Sequence, residues 1–294
     1  MRVLAGVILL AVTVTAAPSG AQADAPPQLR ICLDNATPPA QRPAACTFAL
    51  ANTPPADAKE LARVYFARGN AYLTLGDYDR AMADFDTITK ANPNANGPFN
   101  SRGVAYLRQK QLDRAITEFD SAIRLSPNDP IAFTNRGDAY REKGRYDRAM
   151  QDYDAAIAIN PKWVNAYFGR GAAWQQKSSS DFDAFVNEGR FEELAIAEYD
   201  KVLQLAPKSA GALGNRGQLY HTLRKYDLAI ADFTQAIEIS PANPMFLRSR
   251  ALTYRMMRRV DLAIADYRSA LALTQDADGR KVIGELLAQL GVTV

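Results

Sequence analysis

Few residues of this 294-residue chain are equipped for chemistry, and most of those that are recur at a fixed interval. Arg68, Arg102, Arg136, Arg170, Arg216 and Arg250 stand directly before a glycine or, in the last case, an alanine; Asp84, Glu118, Asp152, Glu198, Asp232 and Asp266 answer them in the same order. A guanidinium and a carboxylate at constant phase can form a bidentate, charge-assisted pair. Such pairs are expected to cross each joint between neighbouring units and to set the stacking angle, specifying register more than adding stability. The competing reading is a stripe of arginines that faces a ligand.

The remaining reactive groups are isolated. His221 is the only histidine, and Cys32 and Cys46 are the only cysteines. No glycine-rich phosphate loop, G-x-S-x-G elbow, H-E-x-x-H or paired C-x-x-C occurs, so neither an enzyme nor a metal or cofactor site is expected. His221 reads as an ordinary surface residue, with ligand contact as the alternative. Two thiols in "RICLDNATPPAQRPAACTFAL" allow one intramolecular bridge, Cys32–Cys46. Closing that loop contributes about 3 kcal/mol in the chain-entropy model.

The elements that must position these groups repeat as well. "RGNAY" at 68, "RGVAY" at 102, "RGDAY" at 136 and "RGAAW" at 170 start 34 residues apart, as do "RGQLY" at 216 and "RALTY" at 250. The step from 170 to 216 is 12 residues too long. Each unit adds a small residue, an aromatic four later and usually a proline: Ala81, Phe85 and Pro93, then Ala115, Phe119 and Pro127, and onward to Ala229, Phe233 and Pro241. Tyr65, Gly69 and Tyr72 share one helical face, and Ala81, Met82, Phe85 and Ile88 share another. Turn residues separate the two helices and proline ends the second. A glycine and an alanine mark where the two helices approach, and one hairpin cannot bury its apolar face alone, so the units stack.

With its spaced aromatic-x3-Gly-x2-Tyr, Ala-x3-aromatic and Pro over residues 62–277, the chain resembles the tetratricopeptide repeat family. It departs from that pattern in the leading position, filled by Tyr65, Phe99, Phe133, Tyr167, Leu213 or Leu247, and in carrying Arg where Leu is usual. The resemblance implies an all-α, right-handed superhelical solenoid of six antiparallel helix pairs. Ile283, Leu286, Leu287 and Leu290 then form a capping helix over 278–294, opened by Asp278 and closed by Gly291. A disulfide-pinned half-repeat or arm is expected over 24–58.

In this family the first helices line a concave groove that takes peptides. Carrying those positions over gives Arg63, Phe66 and Asn70; Asn100, Val104 and Arg108; Thr134, Asp138 and Arg141; Asn165, Phe168 and Gln175; Gln218 and His221; and Arg248, Leu252 and Arg255. Their amides and guanidinia suit an extended backbone or a carboxylate, their aromatics a side chain; a plain solvated face is the alternative. The terminal-carboxylate clamp of chaperone-binding members is not assembled: Asn135 and Asn215 match its middle Asn, without the flanking set.

The first 23 residues run from Arg2 through an apolar stretch to Ala21-Gln22-Ala23, the order of a cleavable secretory signal peptide. The stretch is short of the roughly 20 residues of a spanning helix, so no membrane span is expected after cleavage. Without it the formal charge falls from +3 to +2, with signs scattered, which gives no case for nucleic acid. The functional expectation is a periplasmic or secreted, non-catalytic scaffold for a protein or peptide, the alternative a cell-envelope glycan-assembly accessory using Trp163 and Trp174.

Most of the extra length falls at 178–188, between the two helices of repeat four. Ser180 is expected to cap a short helix there, with Phe182 and Phe185 seeking burial against the solenoid edge or a partner.

Overall fold

The computed structural model describes residues 26–52, 57–180 and 189–292; the expected leader, Phe182 and Phe185 lie outside them. The described residues are helical, without strands, and fall into two compact units, 26–159 and 160–292. The first holds α1 (Pro27–Leu33), α2 (Arg42–Asn52), α3 (Ala58–Leu75), α4 (Tyr78–Ala91), α5 (Asn96–Arg108), α6 (Leu112–Leu125), α7 (Pro130–Glu142) and α8 (Tyr146–Ile159). The second holds α9 (Val164–Ser180), α10 (Arg190–Leu205), α11 (Ala210–Thr222), α12 (Tyr226–Ile239), α13 (Pro244–Met256), α14 (Val260–Leu273) and α15 (Ala277–Ala288). Within each unit successive helices pack on one another, the contact order of an all-α repeat solenoid.

Short-range chemistry explains the helix ends. Asp57, Asp77, Asp129, Ser209 and Asn243 each accept a backbone N–H in the first turn of the helix they precede. Between first and second helix one residue turns left-handed: Gly76, Lys110, Gly144, Gly189, Arg224 and Arg258, with φ from 58 to 83°. In every repeat but the fourth the next amide then reaches back to the carbonyl of the repeat tyrosine, as in Asp77 to Tyr72 at 2.9 Å and Lys225 to Tyr220 at 2.8 Å. The repeat tyrosine thus closes the turn through its backbone.

The spine of each repeat is an aromatic ring laid over a glycine. A Cβ at Gly69, Gly103, Gly137 or Gly217 would stand 2.7, 2.4, 2.8 or 2.9 Å from the ring of Phe85, Phe119, Tyr153 or Phe233. Those rings, with Tyr199 and Tyr267, are fully buried.

Both ends and the fourth repeat differ in detail from the sequence expectation. Residues 26–52 form a hairpin of two short helices rather than one, joined by Cys32–Cys46 and buried with Leu29, Ala45 and Ala49 against Val64 of α3. Asp276, not Asp278, caps α15, accepting from Gly279 N; the carboxylate must precede the first turn to reach its free amides. Gly291 then turns left-handed after it. Ser180 is the last residue of α9, so Ser178–Ser180 continue the first helix of repeat four; the short helix expected beyond it lies outside the described residues. The second helix of that repeat, α10, is lengthened as well, to 16 residues where its counterparts have 14.

Candidate functional site

Two rows of side chains decide what surface the repeats present. In the first, each repeat arginine grips an acid of its own repeat: Arg68 holds Asp84 at 2.9 and 2.7 Å, Arg136 holds Asp152 at 2.9 and 2.6 Å, Arg216 holds Asp232 at 2.8 and 2.7 Å, and Arg250 holds Asp266 at 2.8 and 2.9 Å. Arg102 and Arg170 pair likewise with Glu118 and Glu198. These forks therefore join the two helices of one repeat, where a pair across each joint was expected. The joint is crossed by the third nitrogen, Nη1, which donates to Asp86 from Arg102 at 2.7 Å, to Asp120 from Arg136 at 2.6 Å, to Asp200 from Arg216 at 2.6 Å and to Thr234 from Arg250 at 2.9 Å. Arg68 uses it on Thr47 of α2 at 3.0 Å, so α2 serves as the second helix of a preceding repeat.

The sequence carries a signal for these second acceptors that the main charge pattern hides. Asp86, Asp120, Asp200 and Thr234 each lie five residues after a repeat alanine, and in repeat six the position is Arg268. The fork is half-buried at a cost. Burial opposes the charge on Arg136, yet Asp152 and Asp120 hold it above its ordinary range, while burial lifts Asp152 above the usual carboxylate value despite Arg136. Burial therefore works against the charge of both partners in this fork, as expected of a pair that sets register more than it adds stability.

The second row runs along the first helices, which touch their neighbours in each unit, α3 with α5, α5 with α7 and α11 with α13. In the first unit it is bonded to itself. Ser101 donates to Asn70 at 3.1 Å, Asn135 to Asn100 at 2.9 Å and Arg108 to the Leu73 carbonyl at 2.8 Å. Asp138 accepts from Tyr153 at 2.8 Å and from buried Arg141 at 3.2 Å. Burial, then the Asp138 charge, push the Tyr153 hydroxyl well above its ordinary value, so it stays a donor. Thr134 is buried with its hydroxyl on the Pro130 carbonyl. Phe66 leans on Phe85 with ring centres 6.0 Å apart, and only Arg63 stands exposed without a side-chain partner among the described residues.

In the second unit the row is less closed. Phe168 packs on Tyr199 at 5.5 Å, and the Tyr199 hydroxyl joins Gln175 to Asn215. His221 is half-buried with Nδ1 2.9 Å from the Thr253 hydroxyl, which itself donates to the Ser249 carbonyl; the bond closes with the proton on Nδ1. Burial lowers its pKa, keeping the ring neutral. Arg255 donates at 3.1 Å to Gln289, the residue that follows α15. Asn165, Gln218 and Arg248, on α9, α11 and α13, have no side-chain partner among the described residues. Such groups can hydrogen-bond an extended chain.

Tetratricopeptide repeat models match residues 66–130, 118–151 and 210–243, and a TPR repeat model matches 137–178. No curated protein sequence matches the chain. Among solved structures, the thermophilic TPR protein TTC0263 of Thermus thermophilus is similar at 25% identity and TM-score 0.56, covering 66% of this chain and 100% of its own. A tetratricopeptide repeat protein of Parabacteroides merdae matches at 17% identity and TM-score 0.61, over 86% and 93% of the two chains. Pseudomonas aeruginosa pilF matches at 16% identity and TM-score 0.64, over 79% and 98%. The matched segments coincide with helix pairs that carry the ring-on-glycine spine, and the backbone follows that of solved members: the chain belongs to the tetratricopeptide repeat family.

Proposed function

We propose that the chain is an exported, non-catalytic scaffold for protein–protein interaction, and that it holds an extended peptide along the first helices of its second unit. Asn165, Gln218 and Arg248 carry this reading: they place one amide, amide and guanidinium on successive first helices, free of partners among the described residues. Amides can pair with an extended backbone and the guanidinium with a carboxylate. In the first unit Asn70 and Asn100, at the register positions of Gln218 and Arg248, are bonded to neighbouring first helices. Export is supported by the leader pattern of residues 1–23 and by Cys32–Cys46. Glycan binding is the weaker reading, because Trp174 is stacked on Phe191 with ring centres 5.5 Å apart.

The test is selection of unstructured peptides from a displayed library on the full chain, followed by titration. Gln218→Ala with Arg248→Ala is expected to weaken the selected peptides about tenfold or more, and Arg63→Ala to leave them unchanged. Peptides that keep full affinity for the double variant would refute the assignment.

A further inference from the structure

The turn edge of repeats five and six combines a row of exposed cations with a row of exposed apolar side chains, which repeat four continues with a single cation, Arg190, and a less exposed leucine, Leu194 at 36%. Arg224 and Lys225 in one turn, and Arg258 and Arg259 in the next, are exposed and have no ion-pair partner among the described residues. In the first unit, by contrast, two of the three turn cations are neutralised across the joint, Lys110 by Glu142 at 2.8 Å and Lys143 by Asp113. Apolar side chains stand beside the four free cations: Leu228 is 50% exposed, Met256 51%, Val260 40% and Leu262 45%. The register of the two leucines is occupied in the first unit by Arg80, Arg114 and Arg148, of which the first two lie over Tyr72 and Tyr106. Repeat symmetry runs the cations and the leucines as two adjacent rows.

We infer that this edge, residues 224–228 and 256–262, docks an acidic segment with an apolar face contributed by a partner protein. Charge complementarity selects the occupant: carboxylates answer the unpaired cations while an apolar stripe covers the leucines, methionine and valine. Asp227 and Asp261 favour a protein over an anionic membrane, because each is exposed directly before a leucine of the row. A partner can place its acids on the cations and avoid those two carboxylates, whereas a continuous anionic surface meets both. This surface is separate from the first-helix row and does not depend on the peptide reading.

The experiment uses the full chain and a fluorescent designed helical peptide about five turns long, with leucines at i, i+3, i+4 and i+7 flanked by glutamates, read by anisotropy. Binding that weakens with salt, and that falls about tenfold in Lys225→Glu with Arg259→Glu and again in Leu228→Ser with Leu262→Ser, is the expected result. Those charge reversals avoid the left-handed positions, and Arg145→Glu in the first unit is expected to change nothing. No binding of the acidic peptide, or equal binding of a lysine counterpart, overturns the proposal. So does binding of phosphatidylglycerol vesicles in its place, which gives the edge to a lipid surface. Peptide binding only after deletion of 181–188, "DFDAFVNE", overturns it too, by giving the edge to the chain's own acidic segment.

Discussion

The units 26–159 and 160–292 are built on one plan and finished differently. Both lay an aromatic over a glycine and both hold their helix pairs with an arginine fork, as Arg136 does on Asp152 and Arg216 on Asp232. They part at the surface. The first unit bonds its first-helix row internally and neutralises most of its turn cations, whereas the second leaves Asn165, Gln218 and Arg248 free on that row and four cations free at its turns, among the described residues. A repeat that must bury the same ring against the same glycine has little freedom in its core, so differences collect where side chains meet solvent. Those differences locate the surfaces available to partners.

The common spine is the part of this comparison most easily broken. Phe119→Ala in the first unit and Phe233→Ala in the second should each cost about 3–5 kcal/mol, since both rings are fully buried on a glycine. Chemical denaturation measures it, and a unit that tolerates the change would show that the spines are not equivalent. Replacing Cys32 and Cys46 together by alanine should cost about 3 kcal/mol. Hydrogen exchange should place that loss in α2 to α4 and spare α13 to α15; uniform deprotection would mean that the bridge stabilises more than its own end.

The joints provide a finer comparison. A double-mutant cycle on Arg136 and Asp120 should give a coupling of about 0.5–1 kcal/mol, as for other partly exposed pairs, and the cycle on Arg216 and Asp200 should give the same. Arg136 with Glu118 should show none, because Glu118 is held by Arg102. Unequal couplings would separate the units at their joints as well as at their surfaces.

The smallest effect is one of pH. Burial holds His221 below its ordinary 6.5, so the unfolded chain binds the proton first: its contribution is complete above that value and declines as pH falls below it. Asp152 has the opposite sign, since burial raises its pKa and the folded state takes the proton first, gaining stability as pH falls through that raised value. Melting monitored at about pH 7.5 and about pH 5 should therefore show the second unit weakening, and His221→Gln should remove the difference.

Much of the repeat plan is legible in residue types because it rests on contacts close along the chain. Gly69 and Phe85, 16 residues apart, meet across one turn, and a ring that needs a missing Cβ leaves the same pair of letters in each unit. The fork was legible for the same reason, but its placement was not: periodicity shows that Arg136 and an acid recur together without saying whether Asp152 or an acid of the preceding repeat is the one held. The first-helix row was the least legible part. Thr134, Arg141 and Asn100 are polar letters at groove positions, and only packing reveals that the first two are buried and that the third is bonded to Asn135.

Sequence alone therefore determined the helix pairs of the six repeats and the one bridge that two cysteines allow, because these follow from short-range periodicity and simple pairing, and the same repeated marks carried the resemblance to the family. Only the tertiary structure decided which polar groups are spent and which remain. A side chain's partners on neighbouring repeats lie some 30 residues away, as Asn135 lies from Asn100 and Thr253 from His221. Whether such a pair meets depends on the angle at which two repeats stack, and that angle is set by the joint contacts of Asp86, Asp120, Asp200 and Thr234.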